Sequence, residues 1–369
     1  MFQGNRIRGV LAPVLTPFRS DLSPDPQRFI AHCRWLVSQN CGLAVFGTNS
    51  EANSLSTEER LTLLDQLVAA GVEPSRMMPG TGCCSINETV RLTSHAVKHG
   101  CAGVLMLPPF YYKKVTEEGL YRYFSEVVQR VGDARLKIYL YHMPAVAIVG
   151  ITPRLVERLL KAYAGSIAGM KDSSGDWNNT KTFVDAFAAR TGGAVSGFDV
   201  FVGSESFLLA NIRNGGAGTI SATANVNPAA IHKLFAEARQ EAESRGQNEI
   251  GDQKSGIRER NKRPTSNAEH PTPNYEESPP AHELAARLEL EGQQAKLNLV
   301  RDVFARTASM IAALKQAIAI YADDAGWARV RPPLVGLTTE QADRLAAELK
   351  AIGFTMEVET DNREQRIKL

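Results

Sequence analysis

A lysine that closes an apolar run is the residue with the most evident chemistry. Ser166-Ile167-Ala168-Gly169-Met170 reads as a buried strand and delivers Lys171 at its end. Burying an ammonium is costly, so such a place favours the neutral amine, the nucleophile of imine chemistry. A lysine that snorkels to solvent or pairs with Asp172 fits the same residues equally well. The run Tyr139-Leu140-Tyr141-His142-Met143-Pro144 ends another strand, with Tyr139 and Tyr141 on one face and His142 on the other. A phenol beside an amine can move protons, although a core tyrosine with a satisfied hydroxyl would look the same. Phe46-Gly47-Thr48-Asn49-Ser50-Glu51 ends a third strand in a turn of small, hydroxylic residues whose backbone N–H groups can hold a carboxylate. His95 and His99 flank Val97 on an amphipathic helix away from the strand ends, where a solvated helix face is expected rather than a metal site. No zinc-ligand spacing, Walker-type loop or nucleophile elbow occurs.

The elements that must position these groups alternate along the chain. Apolar runs open near Arg8, Leu43, Met77, Ala102, Lys137, Ser166, Ala194 and Ala217. They are near-continuous, as in strands buried on both faces. Between them lie helical patterns such as Phe29, Cys33, Leu36 and Val37. Ser56-x-x-Glu59 and Ser85-x-x-Glu88 read as capping boxes, and Thr152-Pro153 as an N-cap followed by proline at the first helical position. This alternation, without a dinucleotide fingerprint, predicts an α/β fold: a (β/α)8 TIM barrel over residues 1–245. Residues 246–283 carry five prolines and little apolar content, which predicts a disordered, dispensable insertion or linker. Helical periodicity returns over 284–369, as a C-terminal helical appendage packed on the barrel.

Composition removes several function classes. The 369 residues carry 42 Lys+Arg against 40 Asp+Glu, a net charge of +2, which gives no electrostatic footprint for nucleic acid or an anionic membrane. The early apolar stretch Gly9–Leu15 is broken by Pro13 and is too short for a signal or spanning segment. Cys33, Cys41, Cys83, Cys84 and Cys101 are odd in number and suit reduced structural thiols, so a cytoplasmic location is expected.

Seven elements, in order, resemble the dihydrodipicolinate synthase/N-acetylneuraminate lyase family of class I aldolases. They are Thr16-Pro17-Phe18, Gly47-Thr48-Asn49-Ser50-Glu51, Pro109-Phe110-Tyr111-Tyr112, Tyr141-His142-Met143-Pro144, Gly169-Met170-Lys171-Asp172, Ser196-Gly197-Phe198-Asp199 and Gly218-Thr219-Ile220-Ser221. The resemblance implies that Lys171 forms a Schiff base with pyruvate or another 2-oxo acid. It implies that Tyr141 relays the proton, and that Thr48 links Tyr141 to Tyr112, a tyrosine that reaches a neighbouring subunit's site. By the same resemblance the Thr48 and Asn49 amides bind the substrate carboxylate, Gly197 and Ile220 line the substrate site, and the assembly is a tetramer built from dimers. His142 stands where the synthases have asparagine and is expected in the substrate site, where it would suit a hydroxylated or aromatic second substrate. The iminium is itself the electron sink, so no cofactor or metal is implied.

One departure bears on specificity. The synthases of this family carry an arginine five residues beyond the tyrosine, where this chain has Val146. Without that carboxylate clamp, a 2-keto-3-deoxy sugar-acid aldolase or dehydratase is expected rather than the lysine-pathway 4-hydroxy-tetrahydrodipicolinate synthase. A non-catalytic 2-oxo acid binding protein on the same fold and a metal-dependent aldolase are the competing classes. Insensitivity to chelation would separate the last from an imine enzyme.

Overall fold

The aliphatic runs become a curled, wholly parallel sheet. Its strands are β1 (Gly9–Ala12), β2 (Gly42–Leu43), β3 (Val104–Met106), β4 (Ile138–His142), β5 (Ile167–Asp172), β6 (Asp199–Val202) and β7 (Gly218–Ile220). They lie in the order β2-β1-β7-β6-β5-β4-β3. The computed structural model describes residues 6–188, 197–260 and 281–356. The run expected to open near Ala194 becomes β6 only at Asp199, and residues 189–196 lie outside the described residues. The run expected near Met77 is not a regular strand but a pair of isolated parallel bridges, Leu43 to Met77 and Gly80 to Leu105. Pro79 cannot donate to a ladder, which explains the interruption. Even so, Met78 N–H donates to Leu43 O (2.8 Å) and Leu105 N–H to Pro79 O (2.8 Å). The segment therefore links the two edge strands, β2 and β3.

Helices cover the outside of the sheet. They are α1 (Pro26–Ser38), α2 (Thr57–Ala69), α3 (Ile86–His99), α4 (Glu117–Val131), the short α5 (Pro144–Ala147), α6 (Pro153–Tyr163), α7 (Trp177–Phe187), α8 (Leu208–Arg213) and α9 (Pro228–Arg260). The caps explain several starts. Ser56 and Glu59 complete a reciprocal box at α2, and the Thr152 hydroxyl accepts from Leu155 N–H at α6. At α3 only half of the expected box forms. Ser85 accepts from Glu88 N–H, but the Glu88 carboxylate accepts instead from the Thr57 hydroxyl (3.1 Å), tying α3 to α2.

Two apolar layers result. Leu11, Ala44, Met78, Leu105, Tyr139, Tyr141, Phe201 and Ile220 fill the inside of the curled sheet. Phe29, Leu36, Leu64, Phe124, Leu140 and Phe183 pack between strands and outer helices. Cys33 and Cys41 are buried thiols, whereas Cys84 is exposed.

The chain departs from expectation after residue 245. Helix α9 continues to Arg260, so residues 246–260 form helix rather than a structureless insertion. Their Gln, Glu, Lys and Arg residues have good intrinsic helix propensity. Residues 261–280 lie outside the described residues. The appendage follows as α10 (Ala281–Ala305), α11 (Met310–Tyr321) and α12 (Thr339–Ala351), with α10 and α11 bent by 107°. Leu314, Ala317 and Ile318 of α11 pack with Leu15 and Val226 of the barrel half. Arg28 makes a two-pronged pair with Asp324, and Arg331 another with Glu59, fastening the C-terminal part to α1 and α2. Among the described residues no single helix is long and apolar enough to cross a membrane.

Candidate active site

Lys171 and Tyr141 meet because of an irregularity in β5. Ile138 of β4 pairs with Ile167, but the next residue, Tyr139, pairs with Gly169, so Ala168 is extra. The bulge switches the inside–outside alternation: Ile167 and Met170 both pack in the outer layer. Lys171 consequently turns inward beside Tyr141. Its side chain is almost wholly buried, with Nζ 3.4 Å from Tyr141 Oη and 4.4 Å from the centre of that ring. Tyr141 Oη lies 3.4 Å from Thr48 Oγ1, so Lys171, Tyr141 and Thr48 form one polar chain. Met143 joins it, its Sδ accepting from Tyr141 Oη at 3.0 Å and from Thr48 Oγ1 at 3.6 Å. Sequence reasoning did not give Met143 a role. Its spacing from Tyr141, on the same face, is the signal that was available.

The turn after β2 is held rigidly from below. Phe46 and Glu51 adopt left-handed backbone (φ 61° and 56°), bending the chain sharply at both ends of Gly47–Ser50. Thr16 Oγ1 donates to Ser50 O (2.8 Å), and Ser50 Oγ accepts from Gly47 N–H (3.2 Å). A Cβ on Gly80 would stand 2.2 Å from Phe46 O, so glycine alone permits this close approach. Among the described residues the N–H groups of Thr48 and Asn49 have no partner, which leaves two donors beside Thr48 Oγ1 for an anionic group. At the end of the turn, Glu51 is buried in a pair with Lys315 of α11, which also donates to Arg329 O (2.8 Å). Burial pushes the Lys315 ammonium down to about 8 against the opposing pull of Glu51. Arg331 N–H donates to the other Glu51 oxygen at 2.8 Å. The appendage thus anchors the turn, a contact the sequence reading missed.

Other expected site residues fall elsewhere. His142 points away from Tyr141, its Nδ1 accepting from Ile151 N–H (2.9 Å) and its ring beside Phe183 of the outer layer. Burial lowers its pKa, opposed by the nearby Asp172 carboxylate. His142 therefore does not line the site and supplies no cation there. Gly197 precedes β6 instead of following it, with φ 125° and Arg6 packed against it, so it sits at the opposite end of the strands from Lys171. Gly203 holds the position at the C-terminal end of β6. Its N–H donates to Asp172 O (2.7 Å), and a Cβ there would lie 2.0 Å from Ser173 Oγ. Ile220 is fully buried at the end of β7, in the same inner layer as Tyr141. Tyr112 is 73% exposed, its ring edge-on to Tyr111, with no hydrogen bond to Thr48 or Tyr141 among the described residues. Val146 on α5 is 59% exposed at the rim.

This arrangement can hold an anion at the β2 turn, present a buried amine to it, and move a proton through a phenol. Comparison with known proteins identifies relatives of the chain. The profile of the Dihydrodipicolinate synthetase family matches residues 6–251. A 4-hydroxy-tetrahydrodipicolinate synthase of Thermus thermophilus is 37% identical over 237 residues, 63% of this chain and 74% of the relative. A protein of Chloroflexus aurantiacus described as an uncharacterized DapA-like lyase is 32% identical over 231 residues, 62% of this chain and 74% of the relative. The crystal structure of dihydrodipicolinate synthase from Agrobacterium tumefaciens superimposes with a TM-score of 0.71 at 26% identity, covering 94% of this chain and 99% of that one. The chain belongs to the dihydrodipicolinate synthetase family, whose members are lyases of the aldolase type.

Proposed function

We propose that this protein is a class I lyase, built on a closed (β/α)8 barrel, that joins Lys171 to a 2-oxo acid as a Schiff base. The buried amine 3.4 Å from Tyr141 Oη is the observation that carries this reading. The substrate carboxylate sits on the Thr48 and Asn49 amides, which orients its keto carbon toward Nζ. Attack by the amine followed by loss of water gives an iminium, and Tyr141 carries protons to and from the departing oxygen with Thr48 as its partner. The iminium accepts the electron pair released when the neighbouring bond breaks, so turnover requires no metal. The enzyme works in the cytoplasm as a homotetramer of paired dimers, in which the exposed Tyr112 enters a neighbouring protomer's site.

The second substrate is a sugar-derived 2-keto-3-deoxy acid, cleaved or dehydrated, rather than aspartate semialdehyde. The support is Val146: an arginine there would give a second carboxylate a charge-assisted pair worth ~1.5–3 kcal/mol. With His142 turned outward, no imidazole replaces it. The test compares turnover of pyruvate plus aspartate semialdehyde with cleavage of 2-keto-3-deoxy sugar acids. Sugar acids are expected to be preferred, and Val146→Arg to raise kcat/KM for the semialdehyde by roughly one to two decades. Efficient condensation with aspartate semialdehyde by the unaltered enzyme would instead make it a synthase like its Thermus relative.

A further inference from the structure

On the outer wall, at the end opposite Lys171, helices α2 and α3 bring together three metal-ligating side chains. His95 and His99 lie one turn apart on α3, so their rings share a face. Asp65 of α2 stands opposite, with Oδ1 2.7 Å from Nε2 of each histidine. The imidazole rings are 4.6 Å apart and nearly perpendicular at 82°, and the three ligand atoms all lie within 4.8 Å of one another. The two histidines differ in one respect. His99 Nε2 is hydrogen-bonded to Asp65, but His95 Nε2 is buried and, despite its short distance, makes no hydrogen bond among the described residues. A single carboxylate oxygen does not satisfy both rings.

We propose that Asp65, His95 and His99 bind one divalent transition-metal ion, which pins α2 to α3. Three ligands at ~2.0–2.2 Å around a tetrahedral ion stand roughly 3.3 Å apart. The rings therefore need to open by only about half an ångström, within the reach of ordinary side-chain adjustment. His95 Nε2 then gains the partner it lacks. Two imidazoles and one carboxylate suit zinc, cobalt, nickel or copper, and not magnesium or calcium, which take oxygen shells. Asp65 is 52% exposed, which leaves the fourth position open to water. One turn-pair further up the same seam, Arg91 and Glu58 form an ordinary ion pair (2.6 Å). The helix pattern alone suggested a plain solvated face because Asp65 comes from a different helix.

The test strips the full-length protein with a chelator and titrates it with zinc, then cobalt, following heat release, melting temperature and the visible cobalt spectrum. One zinc per chain, a higher melting temperature and tetrahedral cobalt bands are expected, with no response to magnesium. His99→Gln and Asp65→Asn should retain the metal-free melting temperature and turnover but lose zinc affinity by more than the ~10–100-fold typical of outer-shell changes. Their unchanged metal-free stability guards against misfolding as the cause. Absence of a zinc response in the stripped wild type, or equal affinity and stoichiometry in both variants, would overturn the proposal.

Discussion

Replacing Lys315 by methionine removes one member of a pair whose side chains are both wholly shielded from water. Methionine fills most of the aliphatic volume, so the cavity contribution is small. What remains is a buried Glu51 carboxylate that has lost its paired ammonium, still held by Arg331 N–H and with the Arg331 guanidinium near it. Stranding a buried charge in this way costs about 3–5 kcal/mol. Combining Lys315→Met with Glu51→Gln removes the charge while keeping an amide oxygen for Arg331 N–H. The double variant should therefore recover most of the loss, leaving a deficit of about 1–2 kcal/mol. Urea unfolding of the four proteins in the cycle, followed by tryptophan fluorescence, measures the coupling. The catalytic readout is independent of stability. Glu51 ends the turn that carries Thr48 and Asn49, so Lys315→Met should raise KM for the 2-oxo acid and lower kcat/KM by roughly 10–100-fold. A single variant within ~1 kcal/mol of wild type, or a double variant no better than the single, would refute the claim that this pair anchors the turn.

His32 predicts an acid weakness. It is buried against Trp35, Trp327 and Asn225, and burial pushes its pKa from 6.5 down to about 4. Between those values the unfolded chain takes up a proton that the folded chain refuses. Stability therefore falls as pH drops from 6.5 toward 4, by up to ~1.4 kcal/mol per unit, and His32→Gln should flatten that slope in pH-dependent unfolding. An unchanged slope would remove His32 as its cause. Gly203→Ala should displace the end of β5, because the new methyl would meet Ser173 Oγ at 2.0 Å and Asp172 O at 3.0 Å. Overpacking there should cost about 1–3 kcal/mol and, through Lys171, at least ~10-fold in kcat, whereas wild-type kinetics would show the strand end to be pliable.

Much of the scaffold was legible because local rules decide it. Buried parallel strands must be continuously apolar, and Ser56, Thr152 and their partners announce helix starts through short-range hydrogen bonds. The amine was legible too, since Lys171 closes an apolar run. Its orientation was not, because the bulge at Ala168 changes the alternation without changing composition. His142 carries a different lesson. The two-residue period of β4 already put it opposite Tyr141, and its place directly after that tyrosine drew it toward the substrate against that parity. Gly197 and Gly203 both flank β6, and only the observed strand bounds assign one to each end. Lys315 and Glu51 are separated by 264 residues, beyond any local pattern. Low apolar content pointed away from regular structure over residues 246–260, but a helix needs no core of its own to form.

Reductive trapping decides whether Lys171 forms an imine. The enzyme is incubated with a 2-oxo acid and borohydride, digested, and read by mass spectrometry. One stable adduct is expected, on the peptide containing Gly169-Met170-Lys171-Asp172, and none in Lys171→Arg, whose guanidinium stays protonated and cannot attack a carbonyl. Tyr141→Phe should still form the adduct while turning over orders of magnitude more slowly, because the nucleophile remains and the proton relay does not. Absence of an adduct with every 2-oxo acid tried, or labelling of a lysine other than Lys171, would contradict the imine mechanism for this protein.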